Sequence, residues 1–270
     1  MSIFSRRELV AGATFAAIAG PAAAQSVARF AADRSGNGVV DHARFDTLLA
    51  RRARNSRDGV VRVDYAGWKA SAADRAALTA YIASLTRLNP LTLTRPEQFA
   101  FWANLYNAVT IDVVLDAFPV RSIRDIRSGL IPGPWKRKVA SVDGVQLSLD
   151  DMEHNILRKG WNDPRVHYAV NCAAFGCPNL PLRALRGATL GPSLDVAARA
   201  FVNHSRGARF DGNALVVSSI YEWFAEDFGR SDARVIAHLV RYADAPLRTR
   251  LQAATRIDRN VYDWTLNATR

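Results

Sequence analysis

Apolar residues recur at helical spacing in several blocks of this chain and at strand spacing in a few others. From Asp41 to Ala53, Phe45, Leu48 and Leu49 fall on one helical stripe. "GVVRVDY" (Gly59 to Tyr65) reads as a short extended piece bounded by turn residues. Ser71 to Leu88 predicts a second helix with Leu78, Ile82 and Leu85 on one face. The block "TRPEQFAFWANLYNAVTIDVVLDAFP" is apolar on nearly every side, through Phe99, Phe101, Leu105, Val109, Val113 and Leu115. Such a helix belongs at the centre of a core. Thr94 and Glu97 have capping-box spacing, Pro96 suits a first turn, and Pro119 closes the run. Asn104 and Asn107 interrupt the apolar surface three residues apart, pointing roughly the same way.

Asp143-Gly144 inside "WKRKVASVDGVQLSL" predicts one hairpin, and the turn around Gly212 in "ARFDGNALVVSSI" a second. Between them lie a helix, "DDMEHNILRKG", capped by Ser148 or Asp150 and ended by Gly160, and a strand, "RVHYAVNC". Ser193 to Ser205 is helical behind Pro192. Three more helices, over roughly Tyr221 to Phe228, Asp232 to Tyr242 and Pro246 to Ala254, precede an extended tail, "NVYDWTLN". Helices and hairpins interleave without a βαβ rhythm or an internal repeat. The expected class is α+β: a single globular domain over residues 41–270 with a long central buried helix, two or more antiparallel hairpins and a C-terminal helical segment.

Residues 25–40 read as a loose lead-in. Within them Asp33, Ser35 and Asn37 alternate as in a calcium loop, but Arg44 stands where such a loop needs a bidentate carboxylate, so a plain turn is expected. Upstream, "SRRELV" places Arg6 and Arg7 before a short run rich in Ala and Gly that ends in "PAAAQ". That is the pattern of a twin-arginine export signal over residues 1–24, cleaved after Ala24. The run is too short and too weakly apolar for a transmembrane span, and no other stretch approaches one. A periplasmic or secreted protein is expected, not an integral membrane protein.

Composition adds a net charge of +11 over 270 residues, mostly from dispersed arginines. Positive charge favours anionic envelope polymers or lipid headgroups, although no dense basic run appears. Nucleic acid is not an expected partner, because no binding motif is present. Also absent are G-x-G-x-x-G, a Walker loop, G-x-S-x-G, H-E-x-x-H and C-x-x-C, and no cofactor is expected.

Both cysteines lie in "RVHYAVNCAAFGCPNLPL". Four readings compete. A Cys172–Cys177 disulfide is permitted outside the cytoplasm, with a small loop-entropy gain of about 2 kcal/mol. A zinc site would use both sulfurs with His154 and His167, at an atypical span. A thiol nucleophile needs an imidazole or cation nearby, for which His154, Arg158, Arg165 and His167 are available. Inert, buried cysteines are the fourth reading. On an unbroken strand His167 and Cys172 face opposite sides, so Cys177 with His167, or either cysteine with His154, are the plausible pairs. Glu153 and His154 are helix neighbours, so at most one should face any one site. Asn104 and Asn107 either hold neighbouring backbone or orient a substrate or an imidazole. Trp223 and Phe224 read as core; Glu222, Glu226 and Asp227 as surface or capping, with the third member of a triad as the alternative for a carboxylate there, which nothing in the spacing compels; His42, His204 and His238 as surface.

Taken in order, "DYAGW", "EQFAFWANLYNAVTIDVVLDAFPVRSIRDI", "LSLDDMEHNILR", "DPRVHYAVNCAAFGCPNLP", "LVVSSIYEWFAEDFG" and "VYDWTLN" resemble bacterial members of domain-of-unknown-function family 547, from about Asp41 to Asn267. The F-W-I-N-x-Y-N-A element is matched by Phe101, Trp102, Asn104, Tyr106, Asn107 and Ala108, with Ala103 in place of Ile. H-[FY]-A-x-x-C-A-x-x-x-C-P falls on His167, Tyr168, Ala169, Cys172, Ala173, Cys177 and Pro178, and E-H-x-I-L-R on Glu153, His154, Ile156, Leu157 and Arg158. The resemblance carries no assigned activity. It singles out Asn104, Asn107, Glu153, His154, Arg158, His167, Cys172 and Cys177.

Two functions are in view. In the first, a thiol-dependent hydrolase or acyltransferase acts on an envelope amide or ester: Cys177 or Cys172 attacks, His167 or His154 is the base, and Asn104 or Asn107 orients the base or binds the oxyanion. In the second, a non-catalytic envelope protein binds an anionic glycan or a protein partner through its basic surface.

Overall fold

The computed structural model describes residues 26–127 and 129–269; the export segment expected over residues 1–24 lies outside them. The chain folds as an α+β domain built around the helix Arg95–Ala117. At 1.5 Å per residue this helix is about 34 Å long, and its buried residues, from Glu97 to Leu115, lie on all its sides. The helices Tyr65–Ala70 and Ala72–Thr86 and the first hairpin pack on it, and Ala43–Arg52 packs on Ala72–Thr86 in turn. Among the described residues no helix is long and apolar enough to cross a membrane.

Some boundaries differ from expectation for local reasons. The first helix stops at Arg52, because Ala53–Asn55 pairs antiparallel with Val61–Val63. Thr94 makes no side-chain cap. The Glu97 carboxylate instead accepts the N–H of Val40 (3.3 Å) and of Gly187 (2.6 Å), tying two distant loops to the helix start. The lead-in is not loose over its described part. Phe30 is fully buried against Trp102 with ring centroids 5.1 Å apart, and the N–H groups of Gly36 and Gly38 donate to Leu93 and Thr92 carbonyls. A Cβ at Gly36 would sit 2.1 Å from the Thr92 carbonyl oxygen, so only glycine permits that approach.

The first hairpin pairs Lys138–Val142 with Val145–Ser148, and its turn residues Asp143 and Gly144 have φ of 47° and 77°. Positive φ at both central positions is what the type I′ turn requires. The second pairs Ala208–Asp211 with Ala214–Ser218. The tail adds Arg259–Val261 in parallel to Ala214–Ser218, making a three-stranded mixed sheet. Around that sheet Phe201, Val217, Tyr221, Phe228, Leu239 and Leu251 form a second core. The segment 166–173 feeds both cores: Val166, Ala169, Val170 and Ala173 join the first and Tyr168 the second.

That segment is where the expected strand fails. Val166–Ala169 is a single helical turn, followed by extended residues and then Ala173 at φ 61°. A strand needs a ladder partner, and here a side chain supplies the partner. Asn107 Nδ2 donates to the Ala169 carbonyl (2.9 Å), and its Oδ1 accepts the Asn171 N–H (2.8 Å). Asn104 makes the same fork with the carbonyl and N–H of Leu185, at 2.9 Å each. Both amides are buried, and each uses its two ends on backbone. Neither lines the cavity described below, so the expectation that they orient a substrate or a base gives way to a structural role.

Asn107→Ala leaves a buried carbonyl and a buried N–H without partners. It is expected to cost about 2–4 kcal/mol, read as a lower urea midpoint with an unchanged slope.

Candidate functional site

A cavity of about 330 Å³ opens between the two cores. Glu153, His154, His167, Cys172 and Cys177 all line it, so five of the eight residues singled out by sequence converge. Tyr106 from the long helix, Trp135, Trp223, Phe224, Tyr262 and Trp264 supply much of the remaining wall.

Glu153 and His154 both face the cavity, contrary to the expectation for helix neighbours. The reason is local geometry: Asp151–Leu157 is a π-helix, whose wider turn rotates successive side chains by less than an α-helix does. Ser148 Oγ accepts the Asp151 N–H (3.1 Å), and Asp151 Oδ2 accepts the Ser148 N–H (2.9 Å), which starts the helix. Its far end is Asn162 in the left-handed region, φ 49°, two residues beyond Gly160. The Glu153 carboxylate is buried beside Tyr106, whose phenol it helps to raise, and lies 4.0 Å from His154 Nδ1.

His167 is placed by the helical turn Val166–Ala169. Its Nε2 lies 2.6 Å from Asp227 Oδ2 and is read as the donor, because a carboxylate only accepts. The imidazole stacks on Phe224 with centroids 4.2 Å apart and planes 19° apart. That leaves Nδ1 as the acceptor, 3.8 Å from Glu153 Oε1. Arg158 does not line the cavity but braces it from behind: Nε and Nη2 donate to the two Asp227 oxygens at 2.6 and 3.1 Å, and Nη2 also bonds Glu226. Burial raises the Asp227 carboxyl, and hydrogen bonds from His167 and Arg158 outweigh that and hold it at about 2. Asp227 is therefore an ionised orienting partner at neutral pH.

The cysteines are joined as a Cys172–Cys177 disulfide. This corrects the free-thiol expectation for the state described. It also removes the zinc reading, whose two sulfur ligands the bond consumes. Since residues 166–169 are a helical turn, the exclusion of His167 from the face of Cys172 no longer applies, and both line one cavity. Gly176 contributes close packing: a Cβ there would lie 2.8 Å from the Asp263 nitrogen. The left-handed residue of the loop is Ala173 instead. Arg206 locks the loop from behind, donating to the Phe175 and Cys177 carbonyls (2.7 Å each) and to Asn179 Oδ1 (2.9 Å).

Sequence reasoning favoured a surface or capping role for Asp227 over that of a triad carboxylate, and missed the cavity roles of Tyr106, Tyr262 and Trp264. Trp223, expected in the core, is 46% exposed at the cavity wall. The one signal for Asp227, Trp223, Tyr262 and Trp264 was membership of the motifs "SSIYEWFAEDFG" and "VYDWTLN", and for Tyr106 that of the long-helix motif, which nothing in spacing connected to the histidines. His42, expected at the surface, is fully buried and bonds the Tyr81 hydroxyl at 2.7 Å. Among the described residues no group of three or more His, Cys, Asp or Glu side chains is arranged to hold a metal ion.

Residues 90–202 match the family model described as "Protein of unknown function, DUF547". All eight singled-out residues fall inside the match, whereas Asp227, Trp223, Tyr262 and Trp264 lie beyond it. No curated protein and no solved structure matches the chain.

His238, also expected at the surface, is half-buried beside the site, where Nε2 bonds the Tyr168 hydroxyl at 2.8 Å and Phe228 lies edge-on. Burial, aided by Arg241, lowers its pKa to about 4. An unfolded histidine titrates near about 6.5, so between these values the unfolded chain binds the extra proton. The resulting stability is complete above about pH 6.5 and lost as the pH falls to about 4. Thermal unfolding is expected to show a loss on the order of 2–3 kcal/mol across that window. His238→Gln should flatten it.

Proposed function

Residues 90–202 make this chain a member of the DUF547 family of proteins of unknown function, and from that premise we propose an exported enzyme that hydrolyses an amide or ester of the cell envelope, or transfers its acyl group. The supporting observation is the Asp227–His167 pair at 2.6 Å, set in the wall of a 330 Å³ cavity with the second imidazole nitrogen 3.8 Å from a buried carboxylate. An ionised carboxylate on Nε2 fixes the tautomer and supports the imidazolium that forms during proton transfer. Nδ1 is then the base.

Because both sulfurs are bonded to each other, the nucleophile in this reading is water or an acceptor hydroxyl, not a cysteine. Its proton passes to His167 Nδ1 as its oxygen bonds to the acyl carbon. Collapse of the tetrahedral intermediate breaks the C–N or C–O bond, and the imidazolium returns the proton to the leaving group. When water attacks, Glu153, across the gap from Nδ1, accepts a hydrogen bond from its second O–H and holds it in line. Lys136 at the cavity wall supplies positive charge toward the oxyanion, and the His154 imidazole offers it an N–H. Trp135, Trp223 and Trp264 give the substrate an apolar, desolvating contact.

The test is hydrolysis of isolated envelope material and of model amides and esters by the mature protein. His167→Gln is expected to lower kcat/KM at least about 100-fold and Asp227→Asn about 10²- to 10⁴-fold, with alkylating agents without effect. Wild-type turnover in His167→Gln sinks the proposal, as does activity that appears only after reduction and vanishes on alkylation. If envelope association survives both changes and is lost only when arginines are neutralised, the binding function holds instead. For export, replacing Arg6 and Arg7 by lysine is expected to retain the uncleaved precursor inside the cell, scored by immunoblot of periplasmic fractions.

A further inference from the structure

We propose that the Cys172–Cys177 disulfide is a working redox pair that exchanges with a thiol entering the cavity, Cys172 being the sulfur attacked and Cys177 the sulfur that leaves. This activity does not rest on the hydrolytic reading, although the two share a cavity.

Three observations carry it. The bond lines the cavity instead of stapling distant parts of the fold, and it closes so short a loop that its entropic contribution is only about 2 kcal/mol. The two sulfurs differ in access: Cys172 is half-buried, whereas Cys177 is 5% exposed. They also differ in what waits to stabilise a thiolate. The Cys172 N–H points at Cys177 Sγ (3.0 Å), and the Tyr262 hydroxyl donates to it (3.1 Å); Cys172 Sγ has only its share of the same hydroxyl, at 3.1 Å. Burial raises the Tyr262 phenol, so it remains a donor at neutral pH. Arg206, held at about 10 by burial and still cationic, sits on the Cys177 carbonyl. A sulfur with two donors aimed at it and a cation behind it is the better leaving group, and thiol–disulfide exchange runs faster when the departing thiol has the lower pKa.

The step balances within the pair and its substrate. An incoming R–SH gives its proton to a base in the cavity, and the thiolate forms a bond to Cys172 Sγ. The Sγ–Sγ bond breaks and its electron pair goes to Cys177 Sγ. A second thiol of the substrate then displaces Cys172. The substrate leaves as a disulfide, and two electrons and two protons have moved to Cys172 and Cys177. The substrate class is a dithiol, presented by a peptide or by a small molecule.

The folded, exported protein is incubated with glutathione, with a two-cysteine peptide or with a small dithiol, quenched in acid, alkylated and mapped by mass. The expected glutathione product carries the adduct on Cys172 and the alkyl group on Cys177. Both dithiol arms should yield the doubly alkylated pair, and the faster arm identifies the source. Tyr262→Phe is expected to slow exchange about tenfold, the effect of one lost hydrogen bond to the leaving thiolate. In Cys172→Ser, which keeps the N–H donor, Cys177 should alkylate with a midpoint below the ordinary value of about 8.5. Of the charged and titrating groups that meet it, Tyr262 and Arg206 favour that thiolate, while Glu153 opposes it and His167 and His154 depend on their protonation. An adduct on Cys177, exchange only in denaturant, or a wild-type rate in Tyr262→Phe overturns the proposal. Because no hydrolase substrate is used, its failure leaves the hydrolytic reading standing, and the reverse also holds.

Discussion

The site depends on one buried amide. Asn107, projecting from the central helix, holds the carbonyl of Ala169 and the N–H of Asn171. Two residues before that clamp stands His167, and one residue after it Cys172. The backbone between them cannot join a sheet, because its polar groups are already taken by a side chain. Asn171 extends the clamp: its own amide accepts the Ala173 N–H and donates to the Pro178 carbonyl, and Asn267 from the tail donates to it. A loop without a ladder partner is thus satisfied by three asparagines, and burial makes each of those bonds costly to lose. Leu185, held by Asn104, is fixed by the same device one turn away on the helix.

Electrostatics at the cavity follow from the same economy of partners. His167, Asp227, Arg158 and Glu226 form a chain in which each charge meets an opposite one or a proton donor. Arg158 keeps Asp227 ionised, and Asp227 keeps the imidazole in one tautomer. Glu153 stands on the other side, beside Tyr106. The π-helix that brings Glu153 and His154 onto one wall also carries the chain directly into Arg158. One helical segment therefore supplies the carboxylate, a second imidazole and the brace behind the orienting pair.

Much of the fold was legible in the sequence because the signals were local. The all-round apolar helix, the Asp143-Gly144 turn and the helix over Asp232–Tyr242 need only periodicity and turn chemistry. The strand over "HYAVNC" was misread for a physical reason: β-branched and aromatic residues suit a strand, but only a partner makes one. The partner here is Asn107, some sixty residues earlier in the chain. The lead-in was misread likewise, since Phe30 finds its place only against Trp102.

What the sequence by itself determined was the class of fold, the central helix and the set of residues worth watching. Motif spacing brought Glu153, His154, Arg158, His167, Cys172 and Cys177 to notice without saying how they meet. Only the tertiary structure decided that Asp227 orients His167 and that the two sulfurs bond to each other under the Tyr262 hydroxyl. It also decided that Asn104 and Asn107 serve backbone instead of substrate. Local pattern encodes which face of an element is apolar, because that depends on neighbours three or four residues away. A hydrogen bond between residues sixty apart depends on how the faces pack, and no short stretch of sequence contains that information.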